Sequence, residues 1–195
     1  MNRTTRAAGL GLTAGLIAGA VTFGAIAVQA APQENRPFEG ILQGTTQAGM
    51  PGVGGVPTSS TGTIKGSHIG NATYTITANQ DYGRHVEDSS QHTVGNCAFV
   101  EDNEAGLVIT AANGDQIFGD IDDDRSVVCA PNPQGPAGAA PGDVYYSTIF
   151  TNVKGGTGRF ANASGWLFAE GTSVIGTPAS SPTTDEAQVY GDIDY

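Results

Sequence analysis

The chain predicts an all-β domain, and three observations carry that prediction. Asn113-Gly114 stands between two β-prone runs, Leu107-Val108-Ile109-Thr110-Ala111 and Gln116-Ile117-Phe118-Gly119-Asp120-Ile121. From Asn71 to Ala78, apolar Ala72, Tyr74, Ile76 and Ala78 alternate with Asn71, Thr73, Thr75 and Thr77, the period-2 mark of a half-buried strand. Beyond the first thirty residues no stretch has the period and length of an amphipathic helix.

The first element is not part of the fold. Arg3 and Arg6 precede an apolar, glycine-rich run from Ala7 to Val28, which ends in Val28-Gln29-Ala30 with small residues where a signal peptidase reads them. Residues 1–30 therefore read as a secretory signal peptide. A retained membrane anchor is the rival, disfavoured because glycine dilutes the run and Pro32 follows at once. With no cysteine near the cut, a lipid anchor has no attachment point. The short Ala/Gly-rich leader suggests a bacterium, and the expected location is extracellular.

Without Arg3 and Arg6, six Lys/Arg face nineteen Asp/Glu, a net charge of about −13. That balance repels nucleic acid and anionic membranes, so neither is an expected partner once the signal is removed. Cationic partners and calcium remain open.

Residues 31–60 read as a flexible Gly/Pro-rich lead-in without sustained period, from which Phe38 and Ile41 can dock on the domain surface. The domain is expected to span 61–195. Thr63-Ile64-Lys65 predicts a short strand, divided from the strand at 71–78 by Gly66-Ser67-His68-Ile69-Gly70. Asn79 to Gly95 is polar and predicts a long loop with at most one weak strand.

Cys97 to Val100 leads to the Asn113-Gly114 hairpin, for which Asn-Gly predicts a two-residue type I′ turn. Paired positions then sum to 227, whereas Cys97 and Cys129 sum to 226, so one bulge or loop offset brings the cysteines opposite each other. An even count in an oxidising compartment predicts that they pair. Closing a loop of about thirty residues is worth roughly 3–4 kcal/mol. Two free thiols, or a zinc site without neighbouring histidines, fit less well.

Ser126-Val127-Val128 continues the strands, and Ala130 to Gly142 is a Pro/Gly/Ala loop. Asp143 to Val153 is a long β-rich run. Gly155-Gly156-Thr157-Gly158 turns the chain, and Phe160 with Ser164 to Ala169 leads it back. After a Pro/Ser/Thr-rich loop at 177–184, Gln188-Val189-Tyr190-Gly191-Asp192-Ile193-Asp194 repeats the pattern of Gln116-Ile117-Phe118-Gly119-Asp120-Ile121-Asp122. The echo marks a C-terminal strand and predicts one facing pattern for both segments, with Ile/Val and Gly on one face and the aromatic with the aspartates on the other. Roughly eight short strands at hairpin spacing imply a sandwich or a closed barrel.

Gly155-Gly156-Thr157-Gly158-Arg159-Phe160-Ala161-Asn162-Ala163-Ser164-Gly165 resembles the turn-and-strand signature of the allene oxide cyclase and dirigent barrel superfamily. Gly66 to Gly70 and Ala111-Ala112-Asn113-Gly114-Asp115 resemble segments of its uncharacterised secreted bacterial branch, and the likeness covers roughly 61–174. The resemblance implies an eight-stranded antiparallel closed barrel, calycin-like, with a cavity open at one end. It implies no cofactor, and it maps no catalytic set onto this chain.

Each candidate site also has a structural reading. The glycine turn is followed by a strand and not a helix, so it reads as structural and not as a phosphate cradle, with Arg159 lying along it or pairing with a carboxylate. Asp120, Asp122, Asp123 and Asp124 offer hard oxygens for calcium, but Arg125 and Pro131 break an EF-hand pattern. A solvated acidic edge is preferred, and no metal is expected. His85 and His92, with Glu87 and Asp88, have no common zinc spacing, while His68 is expected to hydrogen-bond a turn. No Gly-x-Ser-x-Gly elbow and no free cysteine speak for a hydrolase triad.

Tyr74, Phe99, Tyr145, Phe150, Trp166 and Phe168 either fill the interior or line a ligand cavity. The first expectation is a binding or structural module for a small apolar ligand. The second is a cofactor-independent cyclase or isomerase, with Tyr74, Tyr145 and Glu170 as polarising groups. An inert envelope protein is the third.

Overall fold

The computed structural model describes residues 35–52, 55–85, 97–130, 140–176 and 182–195, with only the backbone of 82–85 and 104–105. The predicted signal peptide, Glu87, Asp88, His92 and most of the loops at 130–142 and 177–184 lie outside these residues. Among the described residues nine strands follow in order: β1 (Arg36–Ala48), β2 (Val56–Gly66), β3 (Gly70–His85), β4 (Cys97–Ala111), β5 (Gln116–Ile121), β6 (Val127–Cys129), β7 (Val144–Gly156), β8 (Ser164–Val174) and β9 (Thr183–Asp194). Every pairing is antiparallel, and the strands form one sheet in the order β3-β2-β1-β9-β8-β7-β5-β4-β6. In addition β3 pairs with β4, and β6 pairs with β7.

The largest departure from the expected fold is at the front. Within the expected flexible lead-in at 31–60, residues 36–48 and 56–60 are strand: β1 runs thirteen residues between β2 and β9, and β2 begins at Val56. Its inward positions read Phe38, Gly40, Leu42, Gly44 and Thr46, and those of β2 read Thr58, Ser60, Gly62 and Ile64. The period is 2, but glycines and hydroxyls fill six of these nine inward sites, so the hydrophobic signal is weak. Phe38 is a core residue at 1% exposure, lying over the cross-strand pair Gly40 and Gly66, where any Cβ would meet its ring. Ile41, on the opposite face, stays 53% exposed.

The hairpin exists, with a different turn. Gly114 N donates to Ala111 O and Ala111 N to Asp115 O, so the loop holds three residues, Ala112, Asn113 and Gly114. Only Gly114 takes a positive φ, +88°, while Asn113 does not, which is a type I turn closed by a glycine bulge and not type I′. Asn113 Oδ1 accepts from Asp115 N, fixing the shorter arc. The register sum becomes 226, and Cys97 meets Cys129 directly and is bonded to it, with no offset needed.

Two further boundaries move. β3 continues to His85 through the expected polar loop, because Asn79, Gln80 and Asp81 pair with Glu101, Val100 and Phe99. Cys97–Val100 and Leu107–Ala111 belong to one strand, broken in phase where Ile76 faces Leu107 but Ala78 faces Asp102. Gly106, at φ +47°, sits in this irregularity against the carbonyl of Gly119.

The echo segments behave as their alternation predicts. Ile117, Gly119 and Ile121 are buried with Val189, Gly191 and Ile193 as their counterparts, while Phe118 and Tyr190 are exposed. The buried face divides into two clusters. One holds Phe38, Ile64, Tyr74, Ile117, Phe160 and Ile193, and the other centres on Ala78, Ala98, Val100, Val128 and Tyr145. Each fully buried large side chain contributes about 1.5–3 kcal/mol.

Candidate functional site

At the β9 start, one carboxylate stands on the apolar face. Asp185 is in phase with Ala187, Val189, Gly191 and Ile193, and this alternation turns it inward, leaving it 7% exposed. Its Oδ2 accepts from Thr46 Oγ1 at 2.6 Å and from Ser60 Oγ at 3.2 Å, and its Oδ1 accepts from Thr183 Oγ1 at 3.0 Å. β1, β2 and β9 each supply a hydroxyl because all three strands bring an inward Ser or Thr to this level.

A longer chain of hydrogen bonds begins there. Ser60 Oγ lies 3.1 Å from Tyr74 Oη. An ionised carboxylate only accepts and a serine has one proton, so Ser60 gives that proton to Asp185 and Tyr74 donates to Ser60. Tyr74 reaches this point over a glycine floor, since a Cβ at Gly44 would come within 2.2 Å of its Oη. Burial raises the Tyr74 pKa above the ordinary 10.0, the Ser60 hydrogen bond lowers it, and the Asp185 charge raises it further.

A cavity of about 100 Å³ lies beside the carboxylate, lined on its apolar side by Leu42, Ile76, Ala78, Val128 and Ile149. Its volume is roughly three times the ~30 Å³ share of a liquid water. Drug-sized sites hold about 300–1,000 Å³, so only a small molecule fits. A smaller void of about 20 Å³ continues beneath it toward Tyr74 and Leu167.

Three hydroxyls leave the Asp185 carboxylate with acceptor capacity and its charge toward the cavity. The ion pairs among the described residues use other carboxylates, with Lys154 on Asp120, Arg125 on Asp122 at 3.9 Å and Arg159 on Asp115 at 3.8 Å. Burying a charge without a cation is unfavourable, and a cationic or hydrogen-bond-donating guest relieves that cost.

The residues singled out from the sequence scatter. Tyr74 lies at this site, but Tyr145 belongs to the second cluster, where burial and then the Asp143 charge raise its pKa. Glu170 is exposed on the outer face opposite Gln188, so the proposed polarising trio is not assembled. Of the six aromatics, only Tyr74 and Tyr145 point inward. Phe99, Phe150 and Phe168 are half-buried on the outer face and Trp166 is 41% exposed there, because the phase is set by Ala98, Val100, Thr151 and Leu167.

The aspartate run forms no shared ligand set. Asp123 Oδ1 accepts from Asp102 N at 2.8 Å, Asp120 and Asp122 hold their ion pairs, and no group of three or more metal-binding side chains occurs among the described residues. Asp192 and Asp194 cannot join them, because β7 and β8 separate β5 from β9. His68, at φ +68°, sets its Nε2 3.1 Å from Pro37 O, and His85 ends β3 well apart in sequence.

The glycine turn is structural. The Asp115 carboxylate occupies the space a Gly158 side chain would need and accepts from Arg159 N at 3.3 Å, while the Arg159 guanidinium lies over Phe160. Sequence reading missed Asp185, Thr46 and Ser60. The available signal was a carboxylate in phase with four small or apolar residues on one strand.

No family model, curated protein or solved structure matches the chain.

Proposed function

We propose that the protein is a secreted, disulfide-closed binding module that holds a small molecule with a short apolar body and a protonated amine or hydroxyl head. The observation that carries this reading is the buried Asp185 carboxylate, held by three hydroxyls at the wall of a cavity of about 100 Å³. Apolar walls take the body of such a ligand and the carboxylate takes its head.

The same reading takes the sheet as a closed, calycin-like barrel of eight positions, with β5 and β6 sharing one. The β3–β4 and β1–β9 pairings support closure, since each strand position then has two neighbours. Secretion is supported by the leader pattern at 1–30 and by the Cys97–Cys129 bond, which persists in oxidising compartments. Kinship with the allene oxide cyclase and dirigent barrels rests on the glycine-turn resemblance.

The Tyr74–Ser60–Asp185 chain favours one second reading, a cofactor-independent cyclase or isomerase in which the neutral Tyr74 phenol turns its proton from Ser60 to a bound intermediate and polarises it.

Calorimetric titration with alkylamines, alcohols and carboxylates of three to five carbons tests the binding reading. Amines are expected to bind tightest and carboxylates not at all, with the amine preference lost in Asp185→Asn. Equal binding of amine and carboxylate, or no heat from any of them, contradicts it. Recovery of an isomerised ligand moves the assignment to the enzyme.

A further inference from the structure

We propose that the outer face of β1, β9 and β8 binds a basic segment of another protein through its lysine or arginine side chains. The register sets Phe150, Phe168 and Tyr190 side by side across β7, β8 and β9, with Trp166 two residues from Phe168 on the same face. Trp166 is 41% and Tyr190 39% exposed, a cost in apolar exposure that a partner removes.

The charged residues directly opposite these two rings are acidic. Glu39 faces Tyr190 across β1, Asp192 faces Trp166 across β9, and Glu170 follows Phe168 by two residues. Two open grooves meet at Ile41 and Gln188: one reaches Glu170 and Glu186, and the other runs past Glu39 and Tyr190 to Lys65 at its far side. An aromatic face beside a carboxylate is the chemistry that holds alkylammonium and guanidinium groups.

The protein already uses this chemistry within itself. Arg125 sits 3.5 Å from the Phe150 ring centre, and Arg36 sits 4.5 Å from that of Tyr195. A second copy of the chain is disfavoured as occupant, because it brings the same acids and, without the leader, a net charge of about −13 to the interface. A neutral saccharide stacks on the rings but leaves the three carboxylates without a counter-charge.

Trp166 is the single tryptophan, so its fluorescence reports this face directly. The mature protein, residues 31–195, is titrated with hexa-arginine, hexa-glutamate and a neutral hexasaccharide at low and physiological salt. Hexa-arginine is expected to shift the emission with an affinity that falls as salt rises, and hexa-glutamate to leave it unchanged. Glu39→Gln with Glu170→Gln is expected to weaken hexa-arginine about tenfold. The charge-matched pair Glu101→Gln with Asp124→Asn is expected to change it less than about twofold. Equal weakening by both pairs means diffuse charge attraction and overturns the site. A shift with the saccharide and none with the peptide overturns it, as does a doubling of mass that follows the emission change.

Discussion

The two ends of the buried face are built by the same strands from different chemistry. At one end Phe38, Ile117, Phe160 and Ile193 pack with at most 2% exposure, and Tyr195 closes over Phe160 at 4.8 Å between ring centres. Eight residues back along β9, roughly 27 Å at strand rise, the same face presents Asp185, Thr46, Thr58 and Ser60 around a cavity. The first end is where large apolar side chains fill the volume, and the second is where hydroxyls and a carboxylate replace them. A fold can spare such a polar end only if the other holds it, so stability and binding should separate along the strand axis.

Breaking the packed end gives the largest expected effect. Phe38→Ala should destabilise by about 3–5 kcal/mol in urea unfolding, because it opens a cavity and uncovers the glycine floor beneath the ring. Removing the disulfide with Cys97→Ser and Cys129→Ser should cost about 2–5 kcal/mol without altering the amine preference. Gly44→Ala should cost about 1–3 kcal/mol and also disturb binding, since the new methyl needs the space of Tyr74 Oη and the Thr61 carbonyl. Asp185→Asn should leave stability within about 1 kcal/mol of the parent while abolishing amine selectivity. A large loss of stability from that change would make Asp185 a structural group and remove the contrast between the ends.

The smallest effect sharpens the contrast by pH. Tyr74 and Tyr145 have folded pKa values above 10.0, so the stability they contribute is complete below the unfolded value and is lost as pH rises through the folded one. Unfolding stability should therefore fall above about pH 10. Tyr74→Phe should flatten that fall, and an unchanged slope would contradict the placement of its hydroxyl.

These ends also explain what was legible in the sequence. The packed end was readable wherever apolar residues alternate, as in Ala72-Tyr74-Ile76 and in the Val189-Gly191-Ile193 echo, whose two copies share one burial pattern. The cavity end was not, because Thr46, Thr58, Ser60 and Thr183 carry the composition of solvent-facing turns, and β1 with the start of β2 reads as a lead-in. Asp185 was visible only through the phase of β9. The outward turn of Trp166, Phe150 and Phe168 followed from the same alternation, yet aromatic size suggested an interior place. Periodicity reports which residues share a face, and pairing with neighbouring strands decides which face is buried.

The most direct test of the Asp185 site is a nuclear Overhauser experiment on the mature protein with n-butylamine at neutral pH. The expected result is contacts from the butyl protons to the methyl groups of Leu42, Ile76, Val128 and Ala187, absent in Asp185→Asn. Contacts confined to Trp166 and Tyr190 on the outer face, or identical contacts in both proteins, would contradict it.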